Sequence, residues 1–349
     1  MIRRAVRYAG PSALTRTLCG DLLGAREYSL LLNAADVGEL LAALRTTSYA
    51  AAVNEPGRRF DYAIRDRWRK NVEKISARAP GAAQGLCLAY LARLELEAVK
   101  TLLRGIAAGM ERRRLLALLP PLPAASSIPL GAVVAAADLE QATAALKGTP
   151  YHEAIAAGIE ASAAQPPARA TSLPSAIETA LDRGYFARLI TAAGRFSGGE
   201  RAMIERMVGL MADAENLLAV ERLKKIFRLS PESVAPFLIP FGARLDASRR
   251  RALLAWNGER PAPYGGDTGA SPCALRVLLL RVLNAEARRL LFTIPFHAGL
   301  LFAFTIMSDH EASDLIAIQE AKRWGLARNE VGDRLIRVPA GDDIGESGV

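Results

Sequence analysis

The sequence is poor in the residues that catalysis most often uses. Histidine occurs only at His152, His297 and His310, and cysteine only at Cys19, Cys87 and Cys273. Three widely spaced cysteines make neither a disulfide framework nor a zinc pattern, so a reducing cytoplasm is the expected setting. The basic start, Met1-Ile2-Arg3-Arg4, leads into no apolar run, and no signal peptide is expected. Aromatics are 6% of the 349 residues and β-branched runs are scarce, while Ala, Leu, Arg and Glu dominate. That balance favours helix over sheet. Phosphate-loop, dinucleotide-loop and nucleophile-elbow strings are also missing. No nucleotide, cofactor or small-molecule substrate is therefore expected, and an enzyme is disfavoured.

Charge is unevenly supplied. Of 45 basic residues only seven are Lys, and the net charge is +9. This surplus permits nucleic acid, anionic lipid or an acidic protein as partner. The densest runs, Glu111 to Arg114 and Arg249 to Arg251, lie beside helical apolar patterns and read as solvated helix faces. A basic α-helical scaffold binding another protein or nucleic acid stays an alternative, but no nucleic acid is expected.

Long apolar runs are short of a membrane span. Residues 290–307 carry no charge over eighteen positions, the lower edge for a span. Pro295 falls inside, and proline suits a helix's first turn. A helix starting there covers about 20 Å before Ser308, against ~30 Å of hydrocarbon. The run reads as a buried core helix, with an integral membrane protein spanning near 290–307 as the other alternative.

What is present is a repeat. Residues 34–53, AADVGELLAALRTTSYAAAV, match residues 136–155, AADLEQATAALKGTPYHEAI, at a constant offset of 102. Asp36 meets Asp138 and Tyr49 meets Tyr151. Asp36 with Glu39, and Asp138 with Gln141, have the spacing that caps a helix N-terminus. A degraded third copy runs from Asp246 to Tyr264. A second element recurs on long helical patterns, aligning Glu97, Asp213 and Glu311, with Asn216 and Asp314 three positions after the last two. Each of these carboxylates is expected to pair with an arginine or cap a neighbouring helix, since burial alone is costly.

The unit is thus a capped helix, a tyrosine turn, a middle helix, a long acid-bearing helix and a short closing helix. Three units fit, at 31–127, 128–239 and 240–338, after an N-terminal helix at 1–30. Residues 165–174 and 259–272 read as loops, and 339–349 as a disordered tail.

Two strings resemble catalytic signatures. HEASD at 310–314 is one letter from the HExxH zinc motif, but the aligned helices carry no histidine, so no metal is expected. Asp-Thr-Gly-Ala at 267–270 occurs in aspartic proteases on a β-rich scaffold; here it lies in a Gly/Pro loop of a helical chain. No catalytic, cofactor or metal residues are assigned.

Three all-α units with these motifs resemble the C subunit of archaeal and bacterial A/V-type rotary ATPases, the homologue of the d subunit in eukaryotic vacuolar ATPases. LMADAENLL (210–218), AIETALDRGYFARLI (176–190) and ALKGTPY (145–151) carry the likeness. Residues 292–326 and 8–23 extend it to the chain's last long helix and its first. Lys100-Thr101 and Ser313-Asp314 depart from the family's Asn-Leu and Arg-Asn. The resemblance implies a non-catalytic part of the central stalk at the cytoplasmic face of the membrane, peripheral to it. Its units would form a pseudo-threefold, funnel-like socket holding the rotor's stalk subunits and seated on the proteolipid ring. It would transmit torque for ATP synthesis or for proton or sodium transport. On that reading Asp36, Tyr49, Glu97, Asp138, Tyr151, Asp213, Asn216, Tyr264, Glu311 and Asp314 are structural repeat positions.

Overall fold

The computed structural model describes residues 2–163, 173–226, 228–255, 272–293 and 295–337; they form helices and no strand. The chain opens with α1 (Ile2–Gly20) and α2 (Ala25–Asn33). It continues through α3 (Val37–Leu44), α4 (Ala50–Val53), α5 (Phe60–Ser76), α6 (Gly81–Leu91), α7 (Arg93–Ala107) and α8 (Arg112–Leu118). Next come α9 (Leu130–Ala135), α10 (Leu139–Ala145), α11 (Pro150–Ala163), α12 (Leu173–Ala193) and α13 (Gly198–Glu221). A π-helical turn at Arg222–Ile226 precedes α14 (Pro231–Val234). The last helices are α15 (Ala247–Ala255), α16 (Pro272–Thr293), α17 (Ala298–Trp324) and α18 (Arg328–Gly332).

Six segments close a circuit. α5 packs on α6, α6 on α12, α12 on α13, α13 on α16, α16 on α17, and α17 returns to α5. α5 and α6, α12 and α13, and α16 and α17 follow one another in the chain, but the contacts of α6 with α12, of α13 with α16 and of α17 with α5 join segments far apart in sequence. Where α5, α6 and α17 meet, Trp68, Tyr90 and Phe302 stack edge to face with centroids 6.1 and 5.7 Å apart, the arrangement ring quadrupoles favour. Trp68 also donates its indole N–H to the Thr305 carbonyl at 3.1 Å.

The uncharged run at 290–307 spans two helices. α16 ends at Thr293, Phe296 takes φ = 63°, and α17 starts at Ala298 rather than at Pro295. Glu200 on α13 fixes that start by accepting the Ala298 N–H at 2.7 Å. α17 is buried around most of its circumference, which explains its lack of an amphipathic stripe. Among the described residues no helix is long and apolar enough to cross a membrane.

Residues 1–30 are two helices rather than one. α1 stops at Gly20, and α2 begins at Ala25 and runs past residue 30. The break has a cause in the fold: the Leu23 N–H is taken at 2.8 Å by Glu311 of α17, a bond a continuous helix would forbid. The predicted single long helix of the first unit is likewise two, α6 and α7, meeting at Ala92.

Candidate functional site

The capped turns aim the tyrosines. Asp36 accepts the Glu39 N–H at 2.9 Å, Asp138 accepts the Gln141 N–H at 2.8 Å, and Asp246 accepts the Arg249 N–H at 2.8 Å. Thr47 and Thr149 each donate to a carbonyl three residues back at 2.7 Å, Leu44 and Leu146. Those hydroxyls then accept the Tyr49 and Tyr151 amides at 3.2 and 3.3 Å. Both tyrosines are thereby held buried. Tyr264 lies outside the described residues, as does the 267–270 string.

The tyrosines reach carboxylates on long helices. Tyr151 donates its hydroxyl to Glu95 at 2.5 Å, and Glu95 also accepts the Ser127 N–H at 2.9 Å. Tyr49 donates to Glu311 at 2.8 Å. Glu311 is fully buried and takes in addition the Leu23 N–H and the Arg337 guanidinium.

The carboxylate on α7 is thus Glu95 and not Glu97. Glu97 is a third exposed and pairs with Arg65 and Arg93 at the surface. The distinction lies in helical phase. Glu95 shares a helix face with the buried Leu91, Ala98, Val99 and Leu102, whereas Glu97 shares one with Arg93, Lys100, Thr101 and Arg104.

Asp213 on α13 has backbone partners, accepting the amides of Ala243, Arg244 and Leu245 at 2.6–3.2 Å. Burial raises its pKa and those amides lower it. A turn on, Asn216 clamps Ile239, donating to its carbonyl at 3.1 Å and accepting its amide at 2.8 Å. Asp314 accepts the Ile336 and Arg337 amides, each at 2.8 Å, and the Tyr28 hydroxyl at 3.2 Å. Of the three carboxylates expected to take an arginine or a helix cap, Glu97 has Arg65 and Arg93 and Glu311 has Arg337, while Asp213 holds the segment leading into the Asp246 cap. Tyr28, Glu95 and Arg337 belong to no repeated string, so motif matching passes over them.

Residues of α6, α7, α12, α13, α16 and α17 line a charged well of about 240 Å³. Arg93 pairs with Asp309 at 2.5 Å, Lys100 with Asp182 at 2.5 Å, and Arg276 with Glu215 at 3.3 Å. Tyr90 also donates to Asp309 at 2.7 Å. Burial pushes Asp182 up despite its lysine. His310 faces Asn284 at 3.4 Å. Burial, then Arg93, Arg337 and Arg276, push it down to about 3, so it is neutral at pH 7. Among the described residues no three His, Cys, Asp or Glu side chains are placed to hold a metal. Apart from the caps Asp36, Asp138 and Asp246, which accept from their own helices, each carboxylate named here already accepts from a neighbouring segment. The arrangement is a set of joints between helices, with ion pairs spanning the well.

Residues 11–334 match the family described as ATP synthase (C/AC39) subunit. The A-type ATP synthase C subunit of Methanosarcina mazei is 24% identical over 345 residues, covering 94% of this chain and 92% of that protein. The corresponding C subunit of Methanothermobacter thermautotrophicus is 26% identical over 339 residues, covering 90% and 84%. With a family match across nearly its whole length and an all-α circuit of helices, the chain belongs to the ATP synthase (C/AC39) subunits, non-catalytic accessory parts of the rotary ATPase.

Proposed function

We propose that this chain couples the rotor shaft to the membrane proteolipid ring of a V/A-type rotary ATPase. On this reading three units, near 31–127, 128–239 and 240–338, form a pseudo-threefold socket peripheral to the membrane at its cytoplasmic face. The socket receives central-stalk subunits on one side and sits on the ring with the other. It passes torque between them for ATP-linked proton or sodium transport.

The observation that supports the proposal is the closed helix circuit, together with the Tyr49–Glu311 and Tyr151–Glu95 bonds that tie the capped turns to α17 and α7. A part that transmits torque has to resist shear between its helices. Close-packed interiors are stiff, and a closed circuit shares a load among all its members where an open row would splay. Buried, fully bonded carboxylates add directional ties where apolar packing alone would slide. The stalk itself would be held by many contacts, since one surface charge pair contributes ~0–1 kcal/mol.

The test is co-purification of the tagged chain with the stalk and proteolipid subunits of its own complex. Recovery of both in one particle is the expected result. Retention of neither, alongside steeply salt-dependent binding to random DNA, would replace this reading with that of a basic scaffold.

A further inference from the structure

An offset of 98 carries Asp213 and Asn216 of α13 onto Glu311 and Asp314 of α17. Both helices grip the chain that returns after them in the same way. Asn216 clamps Ile239 with bonds of 2.8 and 3.1 Å, and Asp314 accepts the Ile336 and Arg337 amides at 2.8 Å. The same offset carries Gly209 onto Met307, about one helical turn ahead of the acids. At Gly209 the returning chain lies flat on α13: a Cβ there would meet the Ala243 nitrogen at 2.6 Å and the Gly242 carbonyl carbon at 3.0 Å. Residues 242–243, three and four positions after Ile239, thus cover the helix.

At Met307 the matching place is open. A pocket of about 400 Å³ lies there, between the α1–α2 link, α16 and α17. Leu22, Leu291 and Met307 give it apolar walls, and Phe292 lines it while 75% exposed. Its charged lining residues are Arg288 and Arg337, with no acid among them. Arg337 pairs with Glu311. Arg288 is exposed and pairs with no carboxylate among the described residues. Arg337 is also the last described residue, so the chain runs on from the wall of the pocket itself. Residues 338–349 lie outside the described residues; their sequence, VPAGDDIGESGV, has three acids and no base.

We infer that residues 338–344 fold back into this pocket as a strap, with Val338 and Pro339 against Leu291 and Met307, and Asp342 and Asp343 on Arg288. Three and four positions past the Asp314 clamp come residues 339–341, which the comparison sets over Met307 as 242–243 lie over Gly209. The methionine side chain, standing where glycine has a hydrogen, holds the strap off the helix and in the pocket. Asp342 is five residues beyond Arg337, a reach of about 17 Å, enough to cross a pocket of this size. The acids meet Arg288 in charge-assisted hydrogen bonds, and Ile344 covers Phe292. The strap ties the α1–α2 link to α16, so the two ends of the chain close on each other. The inference rests on the pocket and the clamp and is independent of the coupling role.

The test reads the thiol of Cys19, which lines the pocket and is half-buried, in the purified full chain. Its alkylation by N-ethylmaleimide, followed by peptide mass spectrometry, should rise ~10-fold when the chain is ended after Arg337, the change that about 1.4 kcal/mol of closure produces. Cys87, buried in the core, should stay unreactive in both forms. Asp342→Lys with Asp343→Lys should raise the Cys19 rate similarly, and adding Arg288→Glu should restore protection. This charge swap decides the matter where the shortened chain does not fold. Photoreactive p-benzoylphenylalanine at Ile344 should cross-link within one chain, to residues 22–25 or 288–292. The inference is overturned by a Cys19 rate that neither change moves, by an equal gain at Cys87, by a charge swap that leaves Cys19 reactive, or by cross-links that join only a second copy or another part of the chain.

Discussion

Tyr49 hydrogen-bonds Glu311 at 2.8 Å although 262 residues separate them in sequence. The bond ties the first capped turn to the last long helix, and no nearby peptide link enforces it. Tyr49→Phe leaves Glu311 its bonds from Leu23 and Arg337 and should cost about 1–2 kcal/mol. Glu311→Ala strands a half-buried arginine and a buried amide, and about 3–5 kcal/mol is expected. Urea unfolding of both single variants and the double should give a coupling energy of about 0.5–3 kcal/mol. Strict additivity would mean that the hydroxyl and the carboxylate act separately.

Glu95 and Glu97 provide an internal control. Glu95→Gln keeps the shape but weakens acceptance from Tyr151 and Ser127 in a buried site, so a loss of about 1–3 kcal/mol is expected. Glu97→Gln breaks pairs that are a third exposed on both sides, and a change within about 1 kcal/mol is expected. Equal losses in denaturant melts would restore Glu97 as the structural acid of α7.

How much of this is legible in the sequence follows from where the signal lies. Asp36 and Asp138 are readable because capping is local: acid and amide are three residues apart, and the offset of 102 repeats the pattern. All-α character follows from composition in the same way. The partners of Tyr49 and Tyr151 are not legible, since 262 and 56 residues intervene and no spacing rule connects a turn to a distant helix. String similarity selects Glu97 because it weighs adjacent letters, whereas burial follows helical phase, and phase selects Glu95. Asp213 and Asp314 are visible as acids on apolar helices, but their backbone donors, at 243–245 and 336–337, belong to segments without a pattern. The two-helix N-terminus is hidden because its break is set by Glu311 at the other end of the chain.

Gly242 should prove intolerant of any side chain. A Cβ built there would overlap the Asp213 carboxylate, so Gly242→Ala has to push aside the group that holds the 243–245 amides. An overpacking loss of about 1–3 kcal/mol is expected. Asp213→Ala removes the obstruction along with the bonds. The double variant should therefore lose less than the two singles added, by more than about 0.5 kcal/mol. Full additivity in chemical unfolding would show that the alanine is accommodated elsewhere.

The acid side of the stability profile should report two buried groups acting in opposite directions. Asp314 is pushed up from 3.8 to about 6, by burial first, with the Ile336 and Arg337 amides, Tyr28 and Arg281 holding it down. The folded chain holds that proton more tightly than the unfolded one. Its contribution is therefore full below 3.8 and lost as pH rises toward 6. His310 is pushed down from 6.5 to about 3, so the unfolded chain binds its proton more tightly. Its contribution is full above 6.5 and is lost as pH falls toward 3. Between about 4 and 6 the two slopes oppose each other. Asp182 and Asp213, also raised by burial, add to the Asp314 slope in every variant, so differences between variants isolate each group. Asp314→Asn should make stability rise with pH more steeply across that window, and His310→Gln should make it fall. Thermal midpoints measured every half unit from pH 4 to 7 would show the three curves fanning apart. Parallel curves would mean that neither group changes its protonation on unfolding in this range, and that the acid response comes from exposed carboxylates instead.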